Sequence, residues 1–438
     1  MREADSSGGP ARKAVPRHQT ECSPFMHRPP HLYPPPRHYR PALWIVFTAL
    51  MAMACGYSSA AQAARPQAKV TAKATALRDC GPAQAGKGPS AAKDKQGKKT
   101  KKRKCLAAKA SAAGSYAMQP AVREAADAIA QSHALSRSWV RATLAQAQML
   151  PEVVRAVTPA PDPGVRNWQT YRNRMVEPVR VQAGVQFWLR NAKVLEQAER
   201  QTGVPASLVV GILGVETLYG KRMGKYRVLD ALATLAFDFP ASHPKAPARA
   251  AYFLQELEAF LVWCQATGRD PLTVLGSYAG AMGIAQFMPS SWQKYAVDFD
   301  ADGQIDLFDN NTDAIGSVAN YLAAFGWKAG MPTHYPVQLD AARLDLPALL
   351  EKDILPSMSP AQMAERGALL PPQALQHTGQ LALIELLNGN EAPASYVVGT
   401  DNFYVVTRYN WSSFYAMAVI ELGHAVQAQL PAGTANLP

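Results

Sequence analysis

Acidic residues are scarce at the start of this chain. Residues 1–117 carry 5 Asp and Glu against 21 Lys and Arg, whereas residues 118–438 carry 28 against 24. The net charge of +12 therefore belongs to a basic N-terminal tail, and the remainder is slightly acidic. A folded nucleic-acid-binding domain would bring its own basic face, so no nucleic-acid partner is expected. None of Cys22, Cys55, Cys80, Cys105 and Cys264 stands in Cys-x-x-Cys spacing, which argues against a zinc site. The apolar run at residues 43–54 falls short of the ~20 residues that a membrane-crossing helix needs.

That run, placed behind Arg37 and Arg40, suits the apolar stretch of a secretory signal, with Ala61-Gln62-Ala63 as an A-x-A cleavage site. Residues 41–63 are thus expected to be a signal peptide and the protein to reside in the periplasm. An outer-membrane lipoprotein anchored through Cys55 is the alternative. It is the weaker one, because Ala52 stands where a lipoprotein site has Leu. Residues 1–40, rich in Pro, His and Arg, read as disordered or as an upstream misassigned start, with Met26 a candidate for the true one. Residues 64–117 are an Ala/Lys/Gly-rich linker whose basic run, Lys98-Lys99-Thr100-Lys101-Lys102-Arg103-Lys104, reads as a solvated tether. For an exported chain Cys80 and Cys105 are a candidate disulfide, with free thiols the alternative. Cys264, inside a helical apolar pattern, is a small core residue.

The 48% apolar composition supports a substantial core, and the globular part begins near Met118. Helical periods run over 121–132, 136–148, 181–202, 230–239, 249–267 and 413–430. Between 330 and 400 they give way to short apolar runs broken by Pro and Gly, the pattern of a small β-rich unit. One further helix, opened at Pro205, holds Gly211-Ile212-Leu213-Gly214-Val215-Glu216-Thr217-Leu218-Tyr219-Gly220. Its only carboxylate, Glu216, sits among apolar neighbours. An unpaired carboxylate in such a place raises its pKa and keeps its proton, which is what a general acid requires. The same position equally suits a Glu at the wet end of a core helix, bound to an Arg or a backbone donor.

The most distinctive string is Ser277-Tyr278-Ala279-Gly280-Ala281-Met282-Gly283-Ile284-Ala285-Gln286-Phe287-Met288-Pro289-Ser290-Ser291-Trp292. Its small residues permit close backbone approach, and Gln286 both donates and accepts hydrogen bonds. Together with Glu216-Thr217-x-x-Gly220, this string resembles the membrane-bound lytic murein transglycosylase B family. Residues 313–322, 402–410 and 415–419 extend the resemblance, in the family's order, over roughly 118–430.

The resemblance implies a mainly α (α+β) fold: a lysozyme-like core at 203–330 and 401–430, an additional helical domain at 118–202, a small β-rich domain at 331–400 and a tail at 431–438. It implies cleavage of the β-1,4 bond between N-acetylmuramic acid and N-acetylglucosamine in peptidoglycan, with 1,6-anhydromuramic acid ends. Glu216 would act as the single acid and base, Ser277 would orient it and Gln286 would bind sugar. Tyr321, Tyr409, Asn410 and Tyr415 would line the cleft, with Asn410 near the reacting N-acetyl group. Expected partners are peptidoglycan glycan strands and other cell-wall enzymes, with the protein a monomer. A water-using muramidase and a non-catalytic glycan-binding envelope protein are the alternatives.

Asp298-Phe299-Asp300-Ala301-Asp302-Gly303-Gln304-Ile305-Asp306 matches the first nine positions of an EF-hand calcium loop. Asp298, Asp300, Asp302 and the Gln304 carbonyl are candidate ligands of a structural Ca²⁺, with a solvated acidic turn the alternative. Position 12 holds Asp309 where a Glu is usual. The resemblance makes Asp313 the last ligand instead. No organic cofactor is expected.

Overall fold

A computed structural model of the chain describes residues 116–159, 164–390 and 392–431. The signal segment, the basic linker, Cys55, and the Cys80 and Cys105 pair lie outside the described residues. Proline opens helices Pro120–Ser132, Pro151–Val157 and Pro178–Thr202, where its missing N–H costs nothing. Asn167 caps Trp168–Met175 by accepting from Thr170 N, and Gly203 in the left-handed region (φ +70°) ends Pro178–Thr202. The latter helix bends at Asn191, whose Nδ2 donates to Phe187 O at 2.8 Å.

The helix expected over 136–148 stops at Leu144. Tertiary bonds draw the chain out beyond it: Gln148 N donates to Asp230 Oδ1 at 2.9 Å and Leu150 N to Thr234 Oγ1 at 3.0 Å. Those acceptors lie on helix Val228–Phe237, which precedes Ala246–Thr267. One continuous apolar core joins these helices to Ala206–Thr217, Asn311–Ala324, Asp401–Thr407 and Ser413–Gln427, and Cys264 is buried in it. The molecule is mainly helical. Among the described residues no helix is long and apolar enough to cross a membrane.

Strands Ala382–Asn388 and Ala392–Gly399 form an antiparallel hairpin that His334–Pro336 joins on the far edge of the second strand. Gln338–Leu339 pairs separately with Ala368–Leu369. A small second cluster of Leu349, Met363, Ala368, Leu381, Leu383 and Val398 underlies this unit. Three short helices, Leu346–Leu349, Pro360–Glu365 and Pro372–Leu375, interrupt it. They are too short for a helical period to register in the sequence.

Helices Ala206–Thr217 and Ser413–Gln427 touch backbone to backbone. A Cβ on Gly211 would lie 2.2 Å from Val419 O, and one on Gly423 would lie 2.1 Å from Ser207 O. In an ordinary helix interior Gly→Ala stabilises by about 0.5–1 kcal/mol. Here the obstacle is a carbonyl of the facing helix, so Gly211→Ala should instead cost about 1–3 kcal/mol, read as a lower urea midpoint. A raised midpoint would show that the helices can part without loss.

Candidate active site

Glu216 stands one residue before the end of helix Ala206–Thr217. The chain leaves that helix through three successive left-handed residues, Leu218 (φ +52°), Tyr219 (φ +57°) and Gly220 (φ +84°). Leu and Tyr adopt this conformation only when their surroundings hold them to it. Tyr219 N donates to Leu213 O at 3.1 Å, and Gly220 N donates to Thr217 Oγ1 at 2.9 Å. Thr217 Oγ1 in turn donates to Ile284 O at 2.8 Å, fixing the helix end to the loop at 277–287.

Around Glu216 the neighbours are apolar or neutral. Burial pushes its carboxyl up to about 8, opposed by a hydrogen bond from Tyr415 Oη to Oε1 at 2.7 Å. Its place at the negative end of a helix acts in the same sense as burial. The residue still keeps partial access to solvent. Its partner is thus a phenol, where the sequence left an Arg or a backbone donor equally open. Burial raises the phenols of Tyr171, Tyr321, Tyr409 and Tyr415 above the usual tyrosine range, and the Glu216 charge adds to each shift. Four tyrosines from three parts of the chain therefore lie within electrostatic reach of this one carboxyl, and Tyr415 touches it. Three of them were legible in the sequence. Tyr171 was not, because its segment is polar and carries no motif.

The tyrosine hydroxyls are already committed. Tyr321 Oη donates to Arg408 O at 2.7 Å and Tyr409 Oη to Ala285 O at 2.5 Å. Both rings are buried and pack on each other at a centroid distance of 4.9 Å, and neither is among the residues that line the cleft described below.

The string at 277–287 is a tight buried loop. Met282 N donates to Phe287 O at 2.8 Å and Phe287 N to Met282 O at 3.1 Å. Gly283 is required there, since a Cβ would lie 2.5 Å from Leu307 O. Gln286, at φ +52°, donates from Nε2 to Met223 O (3.1 Å) and Gly283 O (2.9 Å). Ser277 Oγ, expected to help orient Glu216, accepts from Ala281 N at 3.0 Å and so braces the loop, while the hydroxyl bonded to Glu216 is that of Tyr415.

Neither of the nearest acids in sequence serves Glu216. Asp230 pairs with Arg227 at 2.6 Å and accepts from Gln148 N, while Asp238 accepts from Tyr116 Oη. Among the described residues no second carboxylate contributes to the Glu216 shift.

A cleft of ≈ 610 Å³ opens beside Tyr415. Its lining comes from three stretches: Arg166 to Arg174 including Tyr171, then Asp353 and Ile354, and Asn410 to Tyr415. Asn410 is buried, and its Oδ1 has no hydrogen-bond partner. Trp411 lines the cleft, whereas Trp292 is core, packed on Trp263.

In the acidic loop, carboxylate oxygens of Asp298, Asp300 and Asp302 lie within 4.8 Å of one another. Asp298 accepts from Asp302 N (3.1 Å) and Gly303 N (2.8 Å), and Gln304 N donates to Asp302 Oδ1 at 2.8 Å. Asp313 lies outside that trio. Its two oxygens accept from Phe299 N and Asp306 N, each at 2.8 Å, tying the loop to helix Asn311–Ala324, which carries Tyr321.

Residues 117–424 match the family model described as Transglycosylase SLT domain. The chain is 41% identical over 321 residues to membrane-bound lytic murein transglycosylase B of Escherichia coli K12, covering 72% of this chain and 84% of that protein. The structure of E. coli lytic transglycosylase Slt35 in complex with calcium matches with a TM-score of 0.63 at 41% identity, over 72% of this chain and 95% of that one. SltB3 of Pseudomonas aeruginosa in complex with NAG-anhNAM-pentapeptide matches with a TM-score of 0.59 at 29% identity, over 72% and 82%. The match over residues 117–424 and the 41% identity place this chain, with its buried Glu216 bonded by Tyr415, in the lytic transglycosylase family.

Proposed function

We propose that this chain cleaves the β-1,4 bond between N-acetylmuramic acid and N-acetylglucosamine in peptidoglycan and leaves 1,6-anhydromuramic acid ends, with Glu216 as its only acid and base. The observation that carries this reading is a single carboxyl, raised to about 8 and without a second acid beside it. An inverting hydrolase needs a second carboxylate to activate water, and a retaining one usually needs a nucleophile. Asp230 and Asp238 are both tied elsewhere.

Protonated Glu216 gives its proton to the glycosidic oxygen as the bond to the anomeric carbon breaks. The muramyl N-acetyl carbonyl oxygen bonds to that carbon, forming an oxazolinium. Glu216, now a carboxylate steadied by the Tyr415 hydroxyl, takes the proton of the 6-hydroxyl as that oxygen displaces the N-acetyl group. Asn410 Oδ1, buried without a partner, suits an N-acetyl N–H and would aim its carbonyl at the anomeric carbon. With both amide hydrogens of Gln286 on backbone carbonyls, its oxygen is the atom offered to sugar hydroxyls. Ser277 acts at one remove, by holding the loop. Tyr321 and Tyr409, buried outside the cleft lining, would keep water from the carboxyl from behind. The segments 118–202, 203–330 with 401–430, and 331–400 each supply one side of the cleft.

The acidic loop fits Ca²⁺. Its oxygen-only donors converge, and among the described residues none of the trio pairs with Lys or Arg. Asp298, Asp300, Asp302 and the Gln304 carbonyl would hold the ion. Asp313 can join through its remaining lone pairs while keeping its backbone bonds. Bound there, the ion supplies charge neutralisation that fixes the helix of Tyr321. Such a substrate lies outside the cytoplasm, which accords with export to the periplasm.

Glu216→Gln should abolish release of anhydro-muropeptides from purified murein, by at least about 10²–10⁴-fold, with strand binding retained. Near-normal release by a folded variant would remove Glu216 from the mechanism. In the active protein, kcat/KM should fall as pH rises through about 8, where the acid loses its proton.

The same shift bears on stability. Between the ordinary value of 4.5 and about 8 the folded chain holds a proton that the unfolded chain releases, so stability is lost as pH rises through that window. Glu216→Gln removes the loss and should be more stable than the parent at pH 8 by about 2–4 kcal/mol, with the gap closing toward pH 4. Parallel melting curves across that range would contradict the raised pKa.

Calcium at 100 times its dissociation constant should stabilise the chain by about 2.7 kcal/mol, seen as a higher Tm. Asp298→Asn with Asp302→Asn should cancel that rise. A Tm indifferent to Ca²⁺ would make the loop a plain acidic turn.

A further inference from the structure

Three residues past the acid, Tyr219 turns the chain with a left-handed backbone (φ +57°), and its side chain is buried. The ring reaches back to the helix it has just left. A Cβ on Gly214 would lie 2.5 Å from Tyr219 Oη and 2.7 Å from Cζ. A Cβ on Gly184, in helix Pro178–Thr202, would lie 2.4 Å from the same Oη and 3.0 Å from Cζ. Those two positions also lie 2.8 Å from Leu422 Cδ2 and 2.4 Å from Val426 Cγ2, both on helix Ser413–Gln427. The tip of the ring therefore fills a notch where three helices meet, and the third of them carries Tyr415. Phe187 stacks on the ring at a centroid distance of 5.1 Å.

Neither the turn nor hydrogen bonding calls for a tyrosine here. Glycine makes a left-handed turn without strain, as it does one residue later at Gly220 (φ +84°). The Tyr219 hydroxyl is buried and has no hydrogen-bond partner among the described residues, which is costly in itself. Two unfavourable features are thus held in place by what the ring packs against. What they secure is the end of the acid's helix. Leu218 N donates to Gly214 O and Tyr219 N to Leu213 O, each at 3.1 Å, closing the last turn just beyond Glu216. With the ring withdrawn, those bonds would open to water and the carboxyl would lose its alignment with Tyr415.

We propose that Tyr219 is a positioning residue for Glu216: its ring, seated in the notch left by Gly184 and Gly214, locks the helix end and keeps the carboxyl in its apolar surroundings within reach of Tyr415. The role rests on the acid–base reading of Glu216 given above, and Tyr219 itself touches no substrate. The groups that titrate around the acid are the phenols of Tyr171, Tyr321, Tyr409 and Tyr415, with that of Tyr219 beside its helix, all raised by burial. Arg180 acts on Tyr171 and Tyr219, and Arg174 on Tyr171. Among the described residues no other carboxyl acts on Glu216, so the alkaline fall in activity reports on Glu216 alone.

The test uses the full chain with Tyr219→Phe, which keeps the ring, and Tyr219→Gly, which keeps only the left-handed turn. Cleavage of murein strands is followed against pH. Tyr219→Phe should keep the parental kcat/KM and its fall near pH 8. Tyr219→Gly should lower kcat about tenfold with KM little changed, because the acid is misplaced rather than the strand. Its alkaline fall should move down by about one pH unit as water reaches the carboxyl. Gly184→Ala, whose methyl would displace the ring, should move the fall in the same direction. A parental pH profile in Tyr219→Gly would show that the turn alone suffices and overturn the role, as would an equal shift in Tyr219→Phe. Stability gives a reading independent of cleavage. The gain that Glu216→Gln brings at pH 8 should shrink in the Tyr219→Gly background and persist in Tyr219→Phe. If the parent cuts no strand, the catalytic reading falls; an equal gain in the two backgrounds overturns the role of Tyr219 whatever the chain cuts.

Discussion

The hydrogen bond from Tyr415 to Glu216 exists because two helices meet with nothing between their backbones. Gly211 and Gly423 each face a carbonyl of the opposite helix at a distance no side chain could occupy. That contact sets how near the closing helix comes to the helix that carries the acid. A shift of one ångström there would exceed what a 2.7 Å hydrogen bond tolerates. The strained exit at Leu218 and Tyr219 adds a second constraint, by turning the chain sharply just past Glu216. Bonds from Thr217 and Tyr409 into the loop at 277–287 then fasten both sides of the site to one buried support.

Much of this was legible in the residues. A lone Glu in an apolar helix already pointed to a raised pKa, because burial acts on a carboxyl whatever fold surrounds it. The Gly-rich string announced a close backbone approach, which Gly283 makes against Leu307 O. Tertiary partners were not legible, since they depend on residues far away in the chain. Ser277 was expected to orient Glu216; its hydroxyl accepts from Ala281 N, four residues on, and the hydroxyl that bonds Glu216 is that of Tyr415, 199 residues beyond it. Tyr321 and Tyr409 were expected to line the cleft, but their hydroxyls reach backbone carbonyls and both rings are buried outside its lining. Tyr171, Arg166 and Asp353 gave no signal, because a polar segment with no period reveals nothing about what it faces.

The acidic loop is farther from the chemistry and is coupled to it through one helix. Asp313 accepts backbone donors from both ends of the loop, and Phe299 packs where a Cβ on Gly316 would lie 2.3 Å away. Any ordering of the loop is thereby passed to the helix that presents Tyr321, whose ring packs on Tyr409 at 4.9 Å. The calcium proposed for this loop would therefore bear on Glu216 only through that helix.

The two tasks proposed for Glu216 account for a tyrosine as its hydrogen-bond partner. A guanidinium in contact would favour the carboxylate so strongly that no proton would be left to give near neutral pH. A wholly apolar wall would make the carboxylate so costly that the proton could not be released. A phenol lies between these extremes, because it donates one hydrogen bond and brings no charge. Tyr171 shows the arrangement from both sides: Glu216 acts on its phenol in one sense, and Arg174 and Arg180 act in the other. Neither arginine figures in the shift of Glu216 itself, where burial and Tyr415 are the two causes. Burial and one neutral donor are thus what act on Glu216, an arrangement suited to the proposed loss and return of its proton within one cycle.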